Sequence, residues 1–77
     1  MASEQLKKWL ADNGYSQTDF AKTLNRTSRR VHVDQTEVSR WVRRKRLPNE
    51  AEQQTIERVT GIARSLWKRD SAQDWSE

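Results

Sequence analysis

The sequence predicts a single all-α domain of four or five short helices. Apolar residues recur at helical spacing in five segments, capping residues stand before four of these segments, and a glycine follows two of them. Seventy-seven residues leave room for one domain, and four tryptophans supply large apolar surfaces for its small core. We expect the domain to span residues 1–69, followed by a polar tail over residues 70–77, whose Trp75 could still pack back onto the core.

The first two helices are marked at their ends. Ser3 is placed to cap the first helix, and Gly14 suits the left-handed position after its end. The apolar stripe of this helix consists of Leu6, Trp9 and Leu10. Ser16 precedes Asp19 by three residues, which resembles a capping box, so the second helix should begin near Gln17. Its buried face consists of Phe20, Ala21 and Leu24.

A polar and basic segment separates the second helix from the third. Helical periodicity disappears from Asn25 to His32, which predicts an extended loop. Asp34 and Glu37 then repeat the capping-box spacing at the start of a third helix, expected over about residues 34–46. Its inward residues are Val38, Trp41 and Val42. Leu47-Pro48 should end the basic run that follows, because a residue before proline disfavours helical geometry.

The C-terminal part of the chain predicts a fourth helix and a further short one. Asn49 can cap the fourth helix with Glu52 at the capping-box offset, and Gly61 follows its end. Its apolar face carries Ile56 and Val59. A helical period then continues through Ile62, Ala63, Leu66 and Trp67. Residues 56–67 could serve either as local core or as the surface of a homodimer.

Positive charge is confined to the middle of the chain. Residues 22–46 carry nine basic and two acidic groups, whereas residues 1–21 carry two and three, and residues 47–77 carry four and six. The corresponding net charges are +7, −1 and −2, which sum to the +4 of the whole chain. Such segregation indicates a polyanionic partner.

Several classes of protein are disfavoured by composition. The chain has no cysteine, no apolar run long enough to cross a membrane and no signal-peptide pattern, so we expect a cytoplasmic protein that does not contact a membrane. The lone His32 lacks partners for a metal or for catalysis, and the only two glycines, Gly14 and Gly61, stand at helix ends. We therefore expect no enzyme activity, no metal, no cofactor and no small-molecule substrate.

The order of these segments resembles the Cro/CI repressor-like (lambda-repressor-like, XRE-type) helix-turn-helix family. The resemblance lies in Leu6 to Leu10, in Ser16 to Ala21, in Val38 to Trp41 with the basic run to Leu47-Pro48, and in Glu57 to Gly61. It covers roughly residues 4–61. The segment from Asn25 to His32 departs from it, because the family joins its second and third helices by a shorter turn that often contains glycine.

The resemblance implies a DNA-reading third helix in the major groove. Groove-facing positions fall on Asp34, Gln35, Thr36 and Arg40, and Ser39 is a further polar side chain near the start of that helix; capping alone accounts for Asp34. Gln35 could pair with adenine and Arg40 with guanine. Phosphate contacts are expected from Gln17, from Arg43, Arg44, Lys45 and Arg46, and from the loop residues Arg26, Arg29 and Arg30.

The function expected from the resemblance is that of a small phage or prophage transcriptional regulator, a repressor of the Cro or CI type. Because one small domain reads few base pairs, we expect a homodimer on a palindromic double-stranded operator. Two alternatives remain within DNA binding, a transcriptional activator and an excisionase-like architectural factor. An alternative of another class is an antitoxin or protein-interaction module with an acidic partner.

Overall fold

The computed structural model describes residues 2–70, and within them the chain is helical, with no strand. The helices are α1 (Ala2–Asp12), α2 (Gln17–Thr27), α3 (Gln35–Val42), α4 (Glu50–Thr60) and α5 (Arg64–Asp70). The predicted all-α class is confirmed, and the short fifth helix is present. Met1 and residues 71–77, and with them Trp75 and most of the predicted tail, lie outside the described residues.

All five helices contribute to one hydrophobic core. α2 packs against α3 and α4, α1 packs against α3 and α5, and α4 packs against α5. The largest fully buried side chains are Trp41, Trp67 and Phe20. Ile56, Ile62 and Trp67 belong to this core, so for these side chains the local-core alternative holds and the dimer-surface alternative does not. No described helix has the length and apolarity needed to span a membrane.

Most of the predicted helix ends are confirmed. The Ser16 hydroxyl accepts from the backbone N–H of Asp19 at 3.0 Å. The Asp34 carboxylate likewise accepts from the backbone N–H of Glu37 at 3.2 Å. Asn49 and Glu52 form a complete capping box with two 2.8 Å hydrogen bonds. Gly61 ends α4 at a φ of 79°, in the left-handed region that glycine adopts without strain.

The first helix cap was predicted wrongly. Ser3 lies inside α1, which begins at Ala2, and its side chain is buried. A cap residue stands outside the helix with extended backbone geometry, so Ser3 cannot cap α1. The end of α1 agrees with the prediction, because Gly14 has a φ of 68° and Tyr15 donates its backbone N–H to the carbonyl of Leu10 at 2.9 Å.

Two other helix boundaries differ from the prediction. α2 continues to Thr27, so the first part of the predicted loop is helical, and the Ser28 backbone N–H bonds to the Leu24 carbonyl. α3 ends at Val42 rather than near residue 46. The basic run that follows it forms a turn, not a last helical turn.

The connection from Ser28 to Asp34 is anchored to the core, although the sequence predicted a polar loop. Val31 is 1% exposed and Val33 is 7% exposed. The side chain of Asn25 holds Val33 at both backbone groups, since its Oδ1 accepts from the Val33 N–H at 2.8 Å and its Nδ2 donates to the Val33 carbonyl at 2.7 Å. The Asn25 side chain thus satisfies both backbone groups of Val33 and fixes the path of the chain into α3.

We expect Asn25→Ala to lower the free energy of unfolding by about 1–3 kcal/mol, because two partly buried backbone groups of Val33 lose their partner. Chemical denaturation followed by circular dichroism measures the change. His32→Ala, at an exposed position of the same segment, is the control and should have little effect. Equal stability of the two variants would contradict an anchoring role for Asn25.

Candidate nucleic-acid interface

One face of α3 is exposed and polar, while the other is buried. Val38 and Trp41 are fully buried against the core. The exposed side begins at Gln35 and continues with the residues one, four, five and eight positions later. At 3.6 residues per turn these five residues share one face. They are Gln35, Thr36, Ser39, Arg40 and Arg43. The base-reading residues predicted from the sequence therefore lie together on the outside of one helix.

These side chains line a single open concavity of about 630 Å³. Its lining residues are Gln35, Thr36, Ser39, Arg40, Arg43, Lys45 and Arg46. Four of these seven residues are basic, and the other three are uncharged hydrogen-bonding groups. The concavity thus presents donors and positive charge beside a helix surface.

The turn after α3 brings its basic residues back beside the helix. The backbone N–H groups of Lys45 and Arg46 both bond to the carbonyl of Arg40, at 2.8 and 3.4 Å. Arg44 adopts a φ of 60°, the one positive φ of a non-glycine residue among the described residues. An L-residue in this left-handed region is strained by about 1–2 kcal/mol. The reversal places Lys45 and Arg46 in the same concavity as Arg40.

A carboxylate holds two of the arginines. Glu37 Oε2 lies 2.6 Å from Nη1 of Arg46, and Glu37 Oε1 lies 3.4 Å from Nη1 of Arg40. The Glu37 side chain is 21% exposed, whereas those of Arg40 and Arg46 are 52% and 43% exposed. Each guanidinium group uses one nitrogen in its contact with Glu37, and its side chain stays partly exposed, so further donors remain for a ligand.

Helices α2 and α3 are linked at their first residues. Gln35 Nε2 donates to Gln17 Oε1 at 3.1 Å. Gln17 was predicted as a phosphate contact and Gln35 as a base contact, and the structure places the two amides side by side. Each amide retains further donor and acceptor capacity for a ligand.

The loop arginines are placed away from this concavity. Arg26 lines a separate depression with Tyr15 and Asp19. It follows Gln17 by nine residues, or two and a half helical turns, so the two side chains lie on opposite sides of α2. Arg30 lines another depression with Arg58 of α4. Arg29 is exposed in the connection. The structure therefore brings the predicted residues of α3 and its turn together beside Gln17, except Arg44, which does not line the concavity. The three loop arginines are not part of this group.

Two residues with a part in this geometry were missed by the sequence analysis. Glu37 was interpreted only as a capping-box partner. It stands nine residues before Arg46, so no local spacing indicated that pairing. Asn25 was placed in a loop, although the alternating pattern of Val31 and Val33 indicates an extended segment with one buried side.

Comparison with protein-family models, with curated proteins and with solved structures finds no match to this chain. No group of three or more His, Asp or Glu side chains in residues 2–70 is arranged to hold a metal ion. The arrangement supplies hydrogen-bond donors, acceptors and positive charge, which suit binding of an anionic partner.

We expect the free energy of unfolding of the Arg44→Gly variant to be about 1 kcal/mol higher than that of the Arg43→Gly variant. Glycine relieves the left-handed strain at position 44, whereas Arg43 has a φ of −87° and gains nothing from glycine. Thermal and chemical denaturation of both variants measure the difference, and each loses one positive charge. Equal stability of the two variants would show that relief of the strain does not exceed the interactions that Arg44 loses.

Proposed function

We propose that this chain binds double-stranded DNA and regulates transcription, and that α2 and α3 act as a helix-turn-helix unit with α3 as the recognition helix. The observation that carries the proposal is the concavity formed by the exposed face of α3 and its basic turn. The major groove of B-DNA admits an α-helix and displays a different pattern of donors and acceptors for each base pair. A polar helix face beside a cluster of cations suits both the bases and the phosphates.

The middle of the exposed face supplies the base contacts in this proposal. Arg40 can donate two parallel hydrogen bonds to guanine, and Gln35 can pair with adenine through its amide. Thr36 and Ser39 are small polar residues that accept or donate to several bases. Their common face on α3 supports simultaneous contact with successive base pairs.

The flanking residues supply the phosphate contacts. Arg43, Lys45 and Arg46 line the edge of the concavity, and Gln17 lies beside Gln35. Arg44 supports the same role, because an arginine in a left-handed conformation costs stability that glycine would not, and strain of this kind concentrates at functional positions. Phosphate contacts fix the register of the recognition helix on the duplex.

The biological context of the proposal is a small phage or prophage regulator, with repression of the Cro or CI type as the preferred role. A single recognition helix reads few base pairs, so we propose that two copies bind a palindromic operator. Ile62 and Trp67 are buried within one copy, so the homodimer needs another surface.

The decisive experiment measures binding to duplex DNA over a range of salt concentrations, after selection of bound sequences from random duplexes. The logarithm of the binding constant should fall steeply with the logarithm of salt concentration, with a slope near −0.9 for each phosphate contacted. Selected sequences should show half-site symmetry. Absence of binding at low salt would contradict the proposal and would favour an acidic protein as the partner of the basic face.

Arg40→Ala should weaken binding to the selected sequence by about 1–3 kcal/mol and should relax base preference at one position of each half-site. Fluorescence anisotropy with a set of singly substituted duplexes measures both effects. Arg69→Ala, an exposed change of equal charge on α5, is the control. Loss of affinity with unaltered base preference would show that Arg40 contacts the backbone and that α3 is oriented differently.

A further inference from the structure

We propose that Glu37 is a specificity-determining residue, which positions Arg40 and Arg46 and weakens binding to non-cognate DNA. This inference rests on the proposed function, because it assigns a role within the same surface. It depends on one juxtaposition, in which a single carboxylate pairs with two arginines of the candidate interface, one on the recognition helix and one on the following turn.

Helix capping does not account for the Glu37 side chain. In α4 the glutamate at the third position, Glu52, returns its carboxylate to the backbone N–H of Asn49 at 2.8 Å and completes a capping box. Glu37 occupies the equivalent position of α3, and its backbone N–H bonds to Asp34. Its two carboxylate oxygens, however, turn to arginines, one oxygen to each.

The two ion pairs have different consequences. The 2.6 Å contact joins Arg46 to the first turn of α3 across nine residues, so it fixes the basic turn against the helix. The 3.4 Å contact with Arg40 engages one guanidinium nitrogen and leaves the other N–H groups available for a base. A long side chain loses rotamer entropy when it binds. An arginine that is already held in place loses less of this entropy on contact with a base, so its binding is less opposed.

The negative charge opposes binding that depends on phosphates alone. Non-specific affinity for DNA is almost entirely electrostatic, so a carboxylate among the cations of the surface lowers it for every sequence. Correct base pairing by Arg40 offsets this repulsion at a cognate site only. Glu37 therefore increases the ratio of specific to non-specific affinity, and that ratio determines how well a regulator finds its site among competing sequences.

The test compares Glu37→Gln with Glu50→Gln. Both substitutions remove one negative charge from the first turn of a helix. Glu50 is exposed on α4, and the carboxylate that pairs with Arg40 and Arg46 is that of Glu37. Affinity is measured for a selected duplex and for a scrambled duplex of equal length, over a salt series. Glu37→Gln should bind the scrambled duplex about two- to fivefold more tightly than Glu50→Gln does, the size expected for one surface charge.

The ratio of selected to scrambled affinity should fall in Glu37→Gln and remain unchanged in Glu50→Gln. In an Arg40→Ala background, Glu37→Gln should cause no further loss of base preference at the position that Arg40 reads. A purely structural role for Glu37 would change the melting temperature without altering either readout. Equal behaviour of the two glutamine variants would overturn the inference while leaving the proposed function intact.

Glu37→Asp keeps the charge but withdraws the carboxylate by one methylene, and it supplies a second variant if Glu37→Gln is poorly folded. The ratio of selected to scrambled affinity should fall, whereas the salt dependence should equal that of the original chain. An unchanged ratio would contradict positioning by Glu37. If the original chain binds neither duplex at low salt, the proposed function itself is wrong, and this outcome is distinguishable from all of those above.

Discussion

The burial of Trp41 is the interaction on which the surface of α3 depends. A helix of eight residues has little stability of its own, so α3 keeps its conformation and position through packing. Trp41 is fully buried, and its indole N–H has no hydrogen-bond partner among the described residues, so the apolar area that it buries must outweigh that penalty. Because Arg40 precedes Trp41 by one residue, about 100° around the helix, fixing the indole inward also fixes the direction of the guanidinium.

The entry into α3 is fixed independently of Trp41. Asn25 bonds both backbone groups of Val33, and Val31 lies in the core, so the chain reaches the Asp34 cap along one path. A long connection costs little closure entropy, but it would leave the pose of α3 undetermined if it were mobile. The two buried valines and the Asn25 side chain supply the constraint that a short turn would otherwise give.

Features set by neighbouring residues could be predicted from the sequence, and those set by distant contacts could not. The caps at Ser16, Asp34 and Asn49 follow from a side chain and a backbone group three residues apart, and all three are present. The grouping of Gln35 to Arg43 on one face follows from helical periodicity alone. The ends of α2 and α3 were misplaced because tertiary packing, the bonds of Asn25 and the reversal at Arg44 determine where each helix stops. Pairing of Glu37 with Arg46 needed that reversal, so no local pattern indicated it.

The turn after α3 departs from local stability rules in two respects. Arg44 adopts a left-handed conformation that favours glycine, and the adjoining basic cluster gathers like charges within a few residues. Glu37 neutralises part of that repulsion and at the same time ties Arg46 to the helix, so the geometry of the cations is held before any partner arrives. Sequences agree with local preferences where stability alone decides, and they depart from them chiefly at functional positions. Both departures occur where the basic turn meets the outer face of α3. Under the proposed function, recognition would therefore depend on this turn more than on the basic segment before α3.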